Sequence, residues 1–171
     1  MRLELTRSKA RRAASSVAIA IAIAIAIATL AAILMPATPA HAAYGPDQAV
    51  SITVTSNAGP SIMLAQLTGT LAFDDGNTKF RYALRLCWGS GSYPMPNFYV
   101  SVNGSTVFYP SQTGTAAAPP GCQLSLFLYD GEYTHSTTLT NVTLYVTGGW
   151  FYPGNTYNSR TKSVTYDNPY N

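Results

Sequence analysis

Apolar and polar side chains alternate along most of the chain beyond residue 49. Residues 50–54 place Val, Ile and Val between Ser and Thr, and residues 79–88 repeat the pattern with larger apolar side chains at the even positions. A period of two is typical of a strand with one buried face. We therefore expect the even-numbered side chains of 79–88 to face a core. In the segment 62–73, Ile62 and Leu64 have the opposite parity to the other apolar residues, and Gly69 interrupts the row, which indicates a bulge or a sharply twisted strand.

Glycine and asparagine mark tight turns between these strands. Residues 74–77 read Asp-Asp-Gly-Asn and residues 103–104 read Asn-Gly, and both sequences accept the positive φ angles of short hairpin turns. Asp130-Gly131 predicts a further hairpin. Residues 110–121, which include three alanines followed by two prolines, predict a long connection without regular structure.

Short strands account for the rest of this part of the chain. The pattern predicts roughly eight to ten of them, with turns about every 8–12 residues. The strand around 139–147 ends at Gly148-Gly149, and the last strand is expected over 163–167. No segment of about ten residues or more beyond residue 42 has a helical period. The sequence therefore predicts a single all-β domain over 43–171, an antiparallel β-sandwich with a β-barrel as the alternative.

The first 42 residues have a different composition. Five basic residues precede an almost pure Ala/Ile/Leu run from Val17 to Met35, and Ala40-His41-Ala42 follows. This order is the layout of a signal peptide, with small side chains one and three positions before the cut. We expect cleavage after Ala42, which leaves a secreted protein (extracellular or periplasmic) without a membrane segment. An uncleaved anchor is the alternative. The alanine-rich leader is typical of bacterial export.

Removal of the leader changes the charge of the protein. Five Lys or Arg and six Asp or Glu remain, so the domain is nearly neutral and nucleic acid is not expected as a partner. Cys87 and Cys122 are the only cysteines, and an even count in an exported chain predicts one disulfide. Because His135 is the only histidine beyond the leader, the sequence predicts no metal site and no cofactor.

Candidates for catalytic chemistry are few. His135 lies in a polar Thr/Ser stretch, and no Gly-x-Ser-x-Gly motif supplies a nucleophile. The carboxylates mostly occupy turns, with Glu132 as the exception, so a small carboxylate-based hydrolase is the second alternative. The acidic turn 74–77 departs from the spacing of an EF-hand calcium loop. The sequence favours a non-catalytic protein over an enzyme.

The aromatic stretch near the C terminus is the main functional lead. Tyr and Trp rings have apolar faces that pack against the C–H faces of sugars, while amides and guanidinium groups bond to hydroxyls. We therefore predict a non-catalytic binding role directed at a carbohydrate or another cell-surface polymer. Packing of the rings in the core is the alternative. The candidate ligand-binding residues are Trp150, Tyr152, Asn155, Tyr157 and Arg160.

A second lead is the proline-containing loop over residues 92–96. It combines Tyr93 and Met95 with two prolines, a composition suited to a rigid contact loop. The first alternative function is therefore an extracellular protein-interaction or protease-inhibitor domain. The sequence leaves the oligomeric state open.

Overall fold

A computed structural model describes residues 43–57, 61–152 and 154–171. The predicted signal peptide, residues 1–42, lies outside the described residues. No helix long and apolar enough to cross a bilayer occurs in the described ranges. Those ranges form nine strands: β1 (Gln48–Thr55), β2 (Met63–Phe73), β3 (Lys79–Gly89), β4 (Asn97–Val102), β5 (Thr106–Phe108), β6 (Gly114–Ala117), β7 (Cys122–Thr134), β8 (Asn141–Phe151) and β9 (Tyr157–Asp167).

The strands form two antiparallel sheets. One sheet has five strands in the order β1-β2-β3-β7-β6, and the other has four in the order β5-β4-β8-β9. Both orders end on edge strands, so neither sheet closes into the alternative β-barrel within the described residues. Buried apolar side chains from both sheets form one cluster, which gives a sandwich-like all-β arrangement.

Alternation along each strand decides which side chains enter this core. In β3, Phe80, Leu84 and Leu86 are buried, whereas the two arginines of the strand point to the other face. The predicted orientation is confirmed over residues 80–86, but Trp88 is only half-buried and lies outside the core cluster, beside a register shift at the end of the strand. Burial of each large apolar side chain stabilises the fold by about 1.5–3 kcal/mol. The largest fully buried side chains are Leu64, Leu67, Leu71, Phe73, Phe80, Leu84, Leu86, Leu139 and Leu144.

The parity change predicted in the second strand corresponds to an irregular start of β2. The register of the β1–β2 pair shifts near the end of β1, and the neighbours Leu64 and Ala65 are both fully buried. Further along β2, Gly69 has a φ of 138°, and a Cβ there would lie 2.0 Å from the carbonyl oxygen of Ala83. Glycine is required at this position because any side chain would collide with β3.

Two of the predicted turns are confirmed. Asn77 closes the β2–β3 hairpin with a φ of 55°, and Asn103 and Gly104 have φ angles of 52° and 70° between β4 and β5. In the first turn the buried carboxylate of Asp74 accepts hydrogen bonds from the backbone N–H of Thr78, at 3.0 Å, and of the next residue. The turn sequences therefore act as expected from their backbone requirements.

The hairpin predicted at Asp130-Gly131 is wrong. Strand β7 runs through both residues and pairs with β3 along its length. Gly131 lies opposite Tyr82, and a Cβ on Gly131 would lie 2.7 Å from the Tyr82 hydroxyl oxygen. The glycine makes room for a ring inside a strand, and the sequence alone cannot distinguish this role from that of a turn.

The connection predicted over 110–121 contains strand β6, which pairs with β7 and forms the edge of the five-stranded sheet. Such pairing requires free N–H and C=O groups and no side-chain alternation, so the pattern did not indicate it. The final hairpin is also longer than predicted. Gly148 and Gly149 belong to β8, where a Cβ on Gly148 would lie 2.6 Å from the Cβ of Leu64.

The predicted disulfide is present. Cys87 and Cys122 are bonded across β3 and β7, with their Cα atoms 5.4 Å apart, beside a register shift in the pairing of these strands. The loop that the bond closes contains β4, β5 and β6. A disulfide of this kind is consistent with an oxidising compartment.

Candidate functional site

The five predicted ligand-binding residues do not share one surface. Alternation along β8 directs Trp150 into the core, where its side chain is only 6% exposed. Its indole Nε1 has no hydrogen-bond partner among the described residues. Trp150 therefore follows the alternative reading of core packing, and its ring offers no open face to a sugar.

Two other predicted residues lie in the connection between β8 and β9. The ring of Tyr152 makes an edge contact with Trp150 at a centroid distance of 5.9 Å, and Tyr152 is partly exposed. Asn155 adopts a φ of 62° and donates its backbone N–H to the carbonyl oxygen of Tyr152 at 3.1 Å. Asn155 thus has a turn-forming role that its residue type explains.

Arg160 connects the two sheets. Its guanidinium Nη1 donates to the side-chain oxygen of Asn57 at 2.6 Å and to the carbonyl oxygen of Thr55 at 3.3 Å. Because Arg160 has the opposite parity to Tyr157 on β9, the two side chains leave the strand on opposite faces. Arg160 and Tyr157, both predicted as ligand-binding residues, therefore do not contribute to one surface.

Tyr157 lies instead in a row of exposed rings. Its ring is 5.3 Å from that of Phe151, its cross-strand partner, and Phe151 is 5.8 Å from Tyr93. Tyr93, Phe151 and Tyr157 are 65%, 46% and 49% exposed. The Tyr157 ring covers Gly149, since a Cβ on that glycine would lie 2.4 Å from the Tyr157 hydroxyl oxygen. The glycine in β8 thus lets one ring lie flat against the sheet.

The loop that carries Tyr93 is fixed to the same strand. The backbone N–H of Tyr93 donates to the carbonyl oxygen of Gly149 at 2.8 Å. The Trp88 indole N–H donates to the carbonyl oxygen of Ser92, also at 2.8 Å. The two separate leads of the sequence, the 92–96 loop and the C-terminal aromatic stretch, therefore meet on one surface.

Hydroxyl groups continue this surface along the four-stranded sheet. On its outer side, Thr143 and Thr165 pair through their Oγ1 atoms at 2.9 Å, and Thr147 and Thr161 pair at 2.7 Å. Between the two threonine pairs, the rings of Tyr99 and Tyr145 stack at a centroid distance of 4.7 Å. We call this surface the aromatic–hydroxyl face; it consists of Tyr93, Tyr99, Thr143, Tyr145, Thr147, Phe151, Tyr157, Ser159, Thr161, Ser163 and Thr165.

Charge is unevenly distributed between the two sheets. The aromatic–hydroxyl face contains no charged residue by its definition. The three ion pairs found among the described residues all involve the five-stranded sheet or the segment before it: Lys79–Glu132 at 3.3 Å, Arg81–Asp47 at 3.0 Å and Arg85–Asp130 at 2.8 Å. The outer side of the four-stranded sheet carries one charged residue beyond this face, Asp167 at the end of β9, whereas the outer side of the five-stranded sheet is zwitterionic.

Several carboxylates of the domain, including candidates for hydrolysis, are engaged in structural contacts. Asp74 caps its turn, and Asp130 and Asp47 pair with arginines. A hydrogen bond from the Tyr44 hydroxyl lowers the pKa of Glu132, with a further contribution from Lys79. Burial and the Glu132 carboxylate raise the pKa of the Tyr44 hydroxyl. A lowered carboxyl pKa is the opposite of what a general acid needs at neutral pH.

The imidazole of His135 also has local partners. Its Nδ1 lies 3.1 Å from both the carbonyl oxygen and the hydroxyl of Thr137. No group of three or more His, Cys, Asp or Glu side chains suited to a metal ion occurs in the ranges that the structure describes.

Sequence reasoning missed several residues of the aromatic–hydroxyl face. The sequence does not single out Phe151, because Gly148-Gly149 indicates the end of a strand and alternation has no meaning in a loop. The odd positions of 143–151 and 157–165 are Thr, Tyr, Gly, Phe or Ser throughout. Continued alternation through the two glycines was the signal that could have found this face.

Comparison with known proteins gives no match. No protein-family model, curated protein or solved structure matches the chain.

Proposed function

We propose that the protein is a secreted, disulfide-stabilised β-sandwich domain that binds a neutral carbohydrate polymer outside the cell, without catalysis. The proposal includes cleavage of a signal peptide after Ala42 and a single domain over 43–171. The observation that carries the binding role is the aromatic–hydroxyl face, with three accessible rings in a row at one end and paired hydroxyls along the rest.

The chemistry of this face suits sugars. A sugar ring presents C–H groups on its faces and hydroxyls at its rim, so it binds best where flat rings lie beside hydrogen-bond donors and acceptors. Phe151 and Tyr157 supply rings, and the threonine and serine hydroxyls of β8 and β9 supply both donors and acceptors. A face without charge also removes the electrostatic attraction that an anionic ligand would need.

The shape of the face favours a polymer over a small molecule. Tyr145 and Phe151 lie on the same strand and side, six residues apart, which corresponds to about 20 Å. Small ligands prefer concave sites that enclose most of their surface, whereas the outer side of a sheet is open. An extended chain gains contacts at several points along such a surface.

A protein-interaction domain is the second candidate function. It is favoured by the 92–96 loop, where Tyr93 and Met95 are 65% and 39% exposed while the backbone is tied to β8. Exposed tyrosines on a rigid loop are suitable anchors in protein interfaces. Both candidate functions use Tyr93. Variants of the residues further along the sheet therefore distinguish one function from the other.

The test measures binding of the exported protein to insoluble cellulose, chitin, xylan and β-1,3-glucan by pull-down and titration. We expect at least one neutral polymer to bind, and Phe151→Ala and Tyr157→Ala each to weaken binding about tenfold, as loss of a stacked ring typically does. Leu124→Ser is the matched control, since Leu124 is exposed on the other sheet. Thermal unfolding verifies that each variant is folded.

Tyr152→Ala separates the aromatic–hydroxyl face from the originally predicted site, because Tyr152 lies on the side of Trp150. Binding lost with Tyr152→Ala and kept with Tyr157→Ala would contradict the assignment to this face. No binding to any of the four polymers, combined with capture of a protein partner that depends on Tyr93 and Met95, would favour the second candidate function.

A further inference from the structure

The first described residue of the chain lies against a carboxylate. The backbone N–H of Ala43 donates to Oδ1 of Asp75 at 3.0 Å, and the N–H of Asp75 donates to the carbonyl oxygen of Ala43, also at 3.0 Å. Asp75 belongs to the β2–β3 turn, so this reciprocal pair joins residue 43 to a tight hairpin that the fold holds in place.

Tyr44, Gly45 and Asp47, which follow Ala43, are also fixed by contacts with the sheet. Tyr44 forms an antiparallel bridge with Asp74, and its hydroxyl donates to Glu132. The guanidinium of Arg81 lies over the Tyr44 ring, 5.0 Å from its centroid, and also pairs with Asp47. Residues 43–47 thus form a strap across the turn end of the five-stranded sheet.

We propose that cleavage after Ala42 creates a structural ion pair: the new α-ammonium group of Ala43 binds the carboxylate of Asp75. In the uncut precursor the same nitrogen is a neutral amide, which donates one hydrogen bond and carries no charge. Hydrolysis of the Ala42–Ala43 bond consumes one water and gives a carboxylate on Ala42 and an amine on Ala43, which is protonated at neutral pH. The processed domain is therefore more stable than the same domain within the precursor.

The surroundings of the pair leave Asp75 as the acceptor for this ammonium group. Asp74 accepts hydrogen bonds within its own turn, Lys79 pairs with Glu132, and Arg81 pairs with Asp47. The inference rests on the export part of the proposed function and is independent of sugar binding.

The first measurement is the intact mass and N-terminal sequence of the protein, exported from a bacterial host with a C-terminal tag. We expect the processed chain to begin at Ala43. Recovery from the periplasm or the medium tests export itself. A protein that is exported but begins at another residue overturns this inference and leaves the proposed export intact.

The second measurement compares the thermal unfolding of wild type, Asp75→Asn and the control Asp167→Asn at pH 7 and pH 9.5. Asp167 is exposed and forms no ion pair among the described residues. An ammonium group beside a carboxylate has a raised pKa, so its stabilising effect is complete below its ordinary pKa of about 8 and is lost as the pH rises through the raised value.

We therefore expect Asp75→Asn to lower the Tm by about 2–4 °C at pH 7 and by less than half of that at pH 9.5. Asp167→Asn should leave the Tm nearly unchanged at both values. An equal loss for Asp75→Asn at both pH values, or equal behaviour of the two variants, would show that the charge of the α-ammonium group contributes nothing.

Discussion

Gly69 and Gly104 both have positive φ angles, but their surroundings differ. A Cβ on Gly69 would lie 2.0 Å from a backbone oxygen of β3, whereas no atom lies within 4 Å of a Cβ on Gly104. We expect Gly104→Ala to cost about 1 kcal/mol, from backbone conformation alone. Gly69→Ala should cost about 3 kcal/mol or more, because two paired strands must separate locally. Urea unfolding of both variants measures the difference, and equal losses would contradict the close approach of β2 to β3.

At the same scale, two adjacent residues illustrate what the sequence could predict about the candidate site. Trp150 and Phe151 are both aromatic, yet Trp150 is buried and Phe151 is exposed. Residue type favoured Trp150 as a ligand contact, while parity decides which ring faces solvent. Parity depends on knowing where the strand ends, and the two glycines before Trp150 indicated an end that is not there.

At the scale of the elements, the disulfide fixes the end of β3 to the start of β7. The bond spans 35 residues, and closing a loop of that length stabilises a fold by about 4 kcal/mol in the chain-entropy model. We expect the double variant Cys87→Ala, Cys122→Ala to have a free energy of unfolding about 3–4 kcal/mol lower than the wild type. Urea unfolding with and without reductant measures the effect.

Reductant should lower the stability of the wild type and leave the double variant unchanged. The double variant is therefore the control for any effect of the reductant that does not act through the disulfide. A wild type that is insensitive to complete reduction would mean that the loop containing β4 to β6 is already fixed by its pairing with β7 and β8. The disulfide would then add little to the stability of the fold, because strand pairing that persists in the denatured ensemble already restricts this loop.

Elements with local signals were predictable, and elements defined by distant partners were not. The β2–β3 hairpin combines alternation in β3 with an Asn77 turn, so nearby residues specify it. Strand β6 exists because the edge of β7 offers free backbone groups, and Gly131 stays inside a strand because the Tyr82 ring lies opposite. Both facts depend on partner residues elsewhere in the chain, between Ser125 and Leu128 for β6 and at Tyr82 for Gly131.

At the scale of the whole molecule, the separation of charge gives the two outer faces different chemistry. Ion pairs on the five-stranded sheet neutralise one another, so that side has no net attraction for a polyion. The aromatic–hydroxyl face has no charge to screen. Arg160 and Lys162 on β9 are the two cations outside the three ion pairs found in the described residues.

This distribution predicts how binding responds to salt. If the ligand is a neutral polymer on the aromatic–hydroxyl face, raising NaCl from about 0.1 M to 1 M shortens the screening length from about 10 Å to 3 Å and removes no attraction. We expect the apparent Kd for the neutral polymer to change less than twofold across this range. We also expect it to be unaffected by Lys162→Gln, which removes a cation of β9 that lies outside the face. An anionic polymer lying along β9 would behave in the opposite way, because each contact with a cation adds to the dependence on salt. Binding that falls more than tenfold in salt and requires Lys162 would therefore contradict binding at the aromatic–hydroxyl face and indicate a ligand along the β9 edge of the sheet.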